Sequence, residues 1–251
     1  MKRILSAVAL MTLGFAVPAA AADMPARTYK APAVVPAPVY NWAGFYIGAN
    51  AGGAWSRKCW DFTTTAGAFL AAEGCHDATG AVAGGQIGYR WQASNFVFGL
   101  EAQGDWANLR GSNASLFAPI FTNVSRVDGI GLFTGQIGYA WNSVLLYVKG
   151  GAAVVADHYH VETTIGGVLA GTTSDDTRWG ATVGGGVEFA FSPNWSVGAE
   201  YNHLFMQDRL VNFADVAFGG LFSTDRIRQD VDMVTLRLNY RFGGGPVVAK
   251  Y

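Results

Sequence analysis

The sequence predicts an all-β protein, an eight-stranded antiparallel up-and-down β-barrel that crosses a membrane. From Val234 to Phe242 every second residue is large and apolar, and the residues between them, including Arg237 and Arg241, are polar. Successive side chains of a strand point to opposite faces, so this segment is a strand with one apolar and one charged face. Similar segments recur along the chain, separated alternately by long and short connections, with aromatic residues at their ends. These features are typical of transmembrane β-barrels.

The composition narrows the possible functions. The chain has 51% hydrophobic, 14% charged and 14% aromatic residues, 33 glycines and a formal net charge of −1. A nucleic-acid-binding protein needs a basic surface and an acidic disordered chain needs a high charge, so both classes are disfavoured. We recognise no Ser/His/Asp arrangement and no phosphate-binding loop, and therefore expect no enzymatic activity, no cofactor and no nucleic-acid partner.

The first residues indicate export. Met1-Lys2-Arg3 precedes an apolar run and a tract of small residues that ends at Ala22, which predicts a secretory signal peptide over residues 1–22. Residues 23–41 are rich in proline and alanine, and we interpret them as an extended periplasmic linker. A flexible N-terminus without a tethering role fits the same composition. No later stretch is apolar over about 18 residues, so the mature chain crosses a membrane as strands or not at all.

The barrel is predicted over residues 42–242, followed by a C-terminal tail over residues 243–251. Apolar side chains are expected to face lipid, and polar side chains to face the interior in every strand. In the fifth strand we place Lys149 inside, which also leaves Tyr147 inside. The eight predicted strands cover residues 42–55, 80–91, 96–106, 127–141, 144–157, 178–191, 195–206 and 231–242.

Four long connections alternate with three short turns, as an even-stranded barrel requires. We expect the short turns to be periplasmic and the long connections to be extracellular loops. The outer membrane of a Gram-negative cell is therefore the predicted location. The long loops are predicted at residues 56–79, 108–126, 158–177 and 207–230.

Aromatic residues gather at the short-turn ends of the strands, and a thinner set lies at the far ends, at Trp55, Trp106, Trp179 and Phe205. Two such bands are typical of the aromatic girdles at the two membrane interfaces. The girdle predicted at the short-turn ends consists of Tyr89, Trp91, Phe96, Tyr139, Trp141, Phe191, Trp195, Tyr240 and Phe242.

An eight-stranded barrel is just wide enough for side chains to fill it, so inward charges must pair with one another. Four residues of each sign have the inward phase. We hypothesise that Glu101, Lys149, Glu200 and Arg237 lie at about one height in the barrel. The complete predicted network consists of Arg90, Glu101, Asp105, Lys149, Glu188, Glu200, Arg237 and Arg241.

Two further motifs lie in the predicted loops. Cys59 and Cys75 are the only cysteines, and an oxidising envelope favours a disulfide between them. A metal site with His76 as the nearby histidine is the weaker alternative. His158 and His160 could contribute to a metal or haem site, but no third ligand is located, so we interpret them as solvated loop residues.

Several motifs resemble one known family. They are Arg27–Pro32, the entry segment Asn41–Gly48, two copies of Gly-Gln-Ile-Gly-Tyr at residues 85–89 and 135–139, and the closing segment Leu238–Phe242. Over essentially the whole mature chain, these segments resemble the alphaproteobacterial small porin-like outer-membrane proteins, often called outer-membrane immunogenic proteins. The resemblance implies a barrel like the OmpA transmembrane domain, exposure at the cell surface, and roles in envelope integrity and host contact. The tail after Phe242 departs from such barrels, which usually end at the terminal aromatic residue.

The predicted function is that of a structural, surface-exposed barrel whose loops make contacts. A narrow porin for small solutes and a loop-mediated ligand-binding or host-binding protein are the alternatives. The partners expected are outer-membrane lipid and lipopolysaccharide, together with the barrel-assembly machinery during insertion. The oligomeric state is left open by the sequence.

Overall fold

The computed structural model describes residues 40–173 and 176–243. Within these ranges no helix is long and apolar enough to cross a membrane. The predicted signal peptide, the predicted linker before Tyr40 and the predicted tail after Gly243 lie outside the described residues.

Ten strands are found in the described residues, and all neighbouring strands pair antiparallel. Six are long, and β6 and β9 are short strands that the sequence did not predict. Their bounds are β1 Gly44–Thr63, β2 Phe69–Ala93, β3 Phe96–Ala114, β4 Phe121–Trp141, β5 Val144–Thr163, β6 Leu169–Thr172, β7 Asp176–Ala190, β8 Trp195–Met206, β9 Arg209–Asp215 and β10 Leu221–Arg241.

The strands close into a ring of eight at two levels of the described chain. At the short-turn end the order is β1-β2-β3-β4-β5-β7-β8-β10, and β10 pairs with β1 to close the ring. Towards the far end β7 and β8 are replaced by β6 and β9, which pair with β5, with each other and with β10. The predicted barrel is therefore present, and it continues as a second eight-stranded level that we call the extension.

The prediction of four long irregular loops was wrong. Most of residues 56–79, 108–126, 158–177 and 207–230 belongs to strands, and the far connections shrink to short turns such as 64–68 and 115–120. β1, for example, continues eight residues beyond Trp55; it pairs with β10 as far as Phe62, and with β2 to its end at Thr63, with register shifts after Trp60 and Phe62.

A reversal of the two faces explains this error. Near the short turns the outward residues are apolar, as Ile47 and Leu238 show, while inward residues such as Gln86 are polar and buried. In the extension the large apolar residues Trp60 and Phe213 are buried inside instead. The extension therefore carries large apolar residues on its inner face, beside buried polar groups such as Lys58 and Asp157, whereas the level below it has the apolar exterior of a membrane barrel.

Where the sequence predicted which residues point inward and which point outward, in every strand except the fourth, the observed burial agrees. In β5 both Lys149 and Tyr147 point inside and are buried, and Leu146 and Val148 are exposed on the outer wall. Two of the short turns contain a residue with positive φ, Ser94 at 56° and Asn142 at 52°. Asparagine tolerates this left-handed conformation well, which suits the tight turn between β4 and β5.

Candidate functional site in the barrel interior

Trp42 closes the interior at the short-turn end. Its side chain is buried, and its indole Nε1–H donates to the backbone oxygen of Asn142 at 3.0 Å. Tyr40 packs edge-on against it with ring centroids 4.8 Å apart. Both residues precede β1, which begins at Gly44 and not at residue 42 as predicted. The segment before the first strand therefore acts as a cap over the base of the barrel.

The lower level of the ring, between the short turns and the extension, is called the membrane level here, and a buried network of four charges crosses its middle. The Lys149 ammonium lies 2.9 Å from Glu101 Oε1 and 2.7 Å from Glu200 Oε1. The Arg237 guanidinium contacts the other oxygen of each of these two carboxylates. Each cation thus contacts both anions, and the four side chains form a closed ring of ion pairs. This agrees with the hypothesis that they lie at about the same height in the barrel.

A second ion pair lies apart from these four charges. Arg90 donates to both oxygens of Glu188, at 3.1 and 2.8 Å, a bidentate geometry that favours a strong pair. The guanidinium also lies over the ring of Tyr46, 4.4 Å from its centroid, and 5.8 Å from that of Trp42. Arg90 and Glu188 therefore connect the charge network to the cap.

Two members of the predicted network make no ion pair among the described residues. Asp105 is level with Ile130 of β4, in an apolar part of the interior, and accepts a hydrogen bond from Gln103 Nε2 at 2.8 Å. Arg241 is at the last position of β10, beyond the reach of the carboxylates. It donates instead to the backbone oxygens of Ala43 at 3.0 Å and Pro193 at 2.7 Å.

Sequence reasoning missed two tyrosines that complete the network. The hydroxyl of Tyr46 donates to Glu101 Oε2, and that of Tyr147 donates to Glu200 Oε2, both at 2.6 Å. The inward phase of Tyr147 had been predicted without a role. Hydrogen bonds of this kind satisfy carboxylate oxygens that would otherwise be buried at a cost of several kcal/mol.

The expectation of polar inward residues throughout was wrong above the charge network. A buried apolar cluster fills the interior there, with Leu132, Leu204 and Met233 fully shielded from solvent. Side chains of β1, β2, β3, β4, β5, β8 and β10 contribute to it, so the cluster spans the barrel. The interior at this height is an apolar layer packed like the core of a soluble protein.

A third polar group lies above the apolar layer, in the extension. Lys58 is fully buried and its ammonium lies 2.6 Å from Asp157 Oδ1. Arg178 approaches the second oxygen of Asp157 at 3.8 Å and Asp176 at 3.0 Å. Burial lowers the pKa of the Lys58 ammonium, although the charge of Asp157 opposes that effect.

The two cysteines form a disulfide on the outer wall of the extension. Cys59 of β1 and Cys75 of β2 are directly opposite each other in the pairing of the two strands. His76 is not beside them as a ligand, because its ring contacts Asn113 Oδ1 at 2.7 Å and Ser125 Oγ at 3.0 Å. The bond therefore ties together the hairpin that the sequence suggested was a loop.

The histidines of the Asp157-His158-Tyr159-His160 segment lie in β5, not in a loop. Asp157 and Tyr159 are buried inside, and His158 contacts Asp128 at 2.9 Å on the opposite face. The described part of the chain contains no group of three or more histidine, cysteine or acidic residues that could hold a metal ion.

The residues of the predicted girdle form contacting groups on the outer wall at the short-turn end. Their ring centroids are 4.6 Å apart for Tyr139 and Trp141, and 5.0 Å apart for Trp195 and Tyr240. Phe242 meets Phe45 of β1 at 5.5 Å, so the band crosses the junction of the first and last strands. The remaining members, Tyr89, Trp91, Phe96 and Phe191, are likewise at least partly exposed on this wall.

The closed ring, the apolar outer wall and the filled interior define a transmembrane β-barrel. Residues 7–242 match the family model described as the outer membrane protein beta-barrel domain, and the chain belongs to that family. It is therefore an outer-membrane protein, and the family resemblance predicted from its motifs is confirmed.

Curated relatives agree with this assignment. The chain is 30% identical to the 31 kDa outer-membrane immunogenic protein of Brucella melitensis biotype 1, over 95% of this chain and 98% of the relative. It is also 30% identical to the 22 kDa outer membrane protein of Rhizobium leguminosarum bv. viciae, over 68% of each chain. Both relatives come from alphaproteobacteria, as the motifs suggested.

Solved structures show the same fold at low sequence identity. The outer membrane protease OmpT of Escherichia coli superposes with a TM-score of 0.53 at 9% identity, over 79% of this chain and 97% of that one. OprG of Pseudomonas aeruginosa gives a TM-score of 0.51 at 13% identity, with the same coverage. At such identities the likeness concerns the fold alone.

Proposed function

We propose that this protein is a structural, surface-exposed barrel that strengthens the envelope and makes contacts at the cell surface, with an interior closed to solutes. The observation that carries the proposal is the stack of buried layers inside the ring. Trp42, Arg237, Leu132 and Trp60 each come from a different layer, and each is at most 1% exposed. A channel needs solvated side chains along its whole length, and side chains fill an eight-stranded ring.

The outer wall supports a structural role in the membrane. Large apolar residues such as Leu100, Val148 and Leu236 are more than half exposed between the two aromatic bands. A wall of this kind is stable only against lipid chains, so outer-membrane lipid and lipopolysaccharide are its partners in this proposal. The barrel-assembly machinery would be a transient partner during insertion.

The far turns favour surface contacts. Ile165 is 90% exposed and Phe218 is 94% exposed, and both lie in turns of the extension. Soluble surfaces rarely gather large apolar residues, and where they do, the residues often mark an interaction site. In this proposal the short turns face the periplasm and these tips face the outside of the cell.

Planar-bilayer conductance of the purified, refolded full chain tests the closed interior. We expect no reproducible channel steps. Reproducible steps that change in size in the Lys149→Gln variant would overturn the closed interior and support a narrow porin, because Lys149 lies inside the ring. Leu146→Gln, on the outer wall of the same strand, is the matched control.

Labelling of intact cells tests the orientation. Gly219, at a far turn, and Ser143, at a short turn, are each replaced by cysteine, while the native cysteines remain disulfide-bonded. We expect a membrane-impermeant maleimide to label G219C on intact cells and S143C only after the outer membrane is opened. The reverse pattern would contradict the proposed orientation.

Removal of the protein tests the contribution to the envelope. A deletion strain should become more sensitive to detergent, and the full chain should restore resistance. A variant with polar tips, combining Ile165→Ser and Phe218→Ser, should also restore resistance but lose surface adhesion. Restored adhesion by this variant would contradict contact through the tips.

A further inference from the structure

A small pocket of about 240 Å³ opens at the far end of the extension. Two pairs of phenylalanine rings form its apolar walls. Phe62 stacks on Phe117 with centroids 5.4 Å apart, and Phe121 meets Phe222 edge to face at 5.3 Å. The pocket lies beyond the outer aromatic band, so its occupant comes from water and not from the membrane.

One carboxylate lies in the wall of this pocket. Glu73 is 8% exposed and accepts hydrogen bonds from Asn123 Nδ2 at 2.8 Å and from Ser115 Oγ at 3.4 Å. Burial raises the pKa of Glu73, although the two hydrogen bonds oppose that effect. Among the described residues no cation pairs with it.

A second carboxylate adjoins the pocket through Ser223, which lines it. Asp225 is 1% exposed, and its Oδ2 accepts a hydrogen bond from Ser223 Oγ at 2.8 Å. Its Oδ1 is buried and has no hydrogen-bond partner within residues 40–173 and 176–243. Burial, together with the negative charge of Glu73, raises the pKa of Asp225 to about 7.

This arrangement is costly for the protein alone. The buried acids Glu101, Glu188 and Glu200 each contact a cation, whereas Glu73 and Asp225 repel each other and form no ion pair in the part of the chain that the structure describes. An unsatisfied buried carboxylate oxygen destabilises a fold. A positively charged occupant would remove both penalties.

The walls select the kind of cation. A hard metal ion prefers six or more oxygen ligands, which aromatic walls do not supply. The faces of aromatic rings attract organic ammonium groups, and their edges and faces pack against methyl and methylene groups. The volume is below the usual range of about 300 to 1,000 Å³ for drug-sized ligands, so the occupant is small.

We propose that this pocket binds a small organic ammonium ion, with its charged group beside Glu73 and next to Ser223, which hydrogen-bonds the buried Asp225, and with its carbon atoms between the two phenylalanine pairs. The site is independent of whether the barrel conducts solutes or strengthens the envelope.

Isothermal titration of the refolded full chain in lipid nanodiscs, with choline as the probe, tests this inference. We expect saturable binding at one site. The neutral isostere 3,3-dimethylbutan-1-ol should bind at least 10-fold more weakly, because it fills the same volume without a charge. Equal affinity of the two compounds, or no binding of choline at millimolar concentration, would overturn the proposal.

Variants assign the binding to this pocket. Asp225→Asn and Phe222→Leu should each weaken choline binding about 10-fold, and Asp128→Asn, an acid on the outer wall of the extension, should leave it unchanged. Heat-modifiability gels confirm that each variant is folded. If choline binds equally to Asp225→Asn, or if Ca²⁺ competes with it at equal concentration, the ammonium site is wrong. The comparison with the neutral isostere uses the wild-type chain and does not depend on the variants.

Discussion

The membrane level and the extension use the same ring of eight strands in opposite ways. Below, the wall is apolar and the interior holds matched charges around Arg237. Above, the wall carries charges such as Arg57 and Arg228, and the interior is built from Trp60 and its aromatic neighbours. The surroundings of the wall, lipid or water, therefore determine which face of a strand is apolar. The backbone pairing between the strands continues through both levels.

The central network and the far end of the extension also differ in how completely their buried charges are matched. Each carboxylate of the central network contacts two cations and a tyrosine hydroxyl. The far end of the extension instead buries two acids that face no cation in the described structure. Matched charges need no ligand, whereas the unmatched acids fit the cation site proposed above.

The largest expected effect comes from breaking the central network. Arg237→Ala should lower the free energy of unfolding by about 3 to 5 kcal/mol, because it leaves two buried carboxylates sharing Lys149 alone. Denaturant unfolding in lipid vesicles, followed by tryptophan fluorescence, measures it. Arg241→Ala is the matched control and should cost clearly less, since that guanidinium contacts backbone oxygens and the ring of Tyr40 and no carboxylate of the described residues. Equal losses of unfolding free energy in the two variants would mean that the charge network stabilises the fold no more than Arg241 does.

The next effect should be confined to the extension. Replacing Cys59 and Cys75 together by serine removes a cross-link between residues 16 apart in sequence, worth about 3 kcal/mol in loop-closure estimates. We expect faster proteolysis near residues 64–68 and an unchanged membrane level. Reduced wild-type protein should behave like the variant. Loss of the protected membrane fragment in either sample would show that the two levels unfold together.

The buried charge of the extension should be more replaceable than that of the membrane level. Lys58→Met should cost about 2 kcal/mol, less than Arg237→Ala, because Arg178 at 3.8 Å and Gln229 Nε2 at 3.3 Å still face Asp157. The same unfolding measurement compares the two variants. A larger loss of unfolding free energy in Lys58→Met than in Arg237→Ala would contradict the expectation that the buried charge of the extension contributes less to stability.

The smallest expected effect is a gain. Burial and the charge of Glu73 raise the pKa of Asp225 to about 7, while Ser223 Oγ opposes them. Between about pH 4 and 7 the folded chain keeps a proton that the unfolded chain releases, so this group makes the protein less stable as pH rises through that window. Asp225→Asn should therefore stabilise ligand-free protein by about 1 to 2 kcal/mol at pH 8 and change little at pH 4. Unfolding curves at both values check the sign, and an equal effect at the two values would contradict it.

Sequence reasoning succeeded where the membrane imposes a strong pattern. The phases of the strands follow from alternation that lipid enforces, and Lys149 correctly placed Tyr147 inside. It failed at residues 56–79 and the three similar stretches. There the apolar residues change from the outward to the inward positions, and this change was interpreted as the end of each strand. A search for alternation of either phase would find Trp60, Tyr159 and Phe213 as inward residues.

The sequence predicted which charged residues lie in the interior better than it predicted which of them pair. Charge counting identified Glu101 and Glu200 opposite Lys149 and Arg237, since buried charges have to pair. Charge counting could not show that Arg241 lies outside the network. Strands of a barrel are staggered, so residues at equal positions in their strands lie at different heights. The buried acids of the extension gave no signal, because they lie in stretches that were interpreted as solvated loops.

The junction between β1 and β10 also has a consequence for the order of events during biogenesis. It pairs Tyr46 with Arg241 and continues to Phe62 with Asp225, so it joins the two ends of the barrel sequence. A chain exported with its N-terminus first must keep the edge of β1 unpaired until its last strand has arrived. An open strand edge of that length readily pairs with other chains. The tendency of this barrel to aggregate therefore depends on how long the edge of β1 stays unpaired during export, as well as on the stability of the folded barrel.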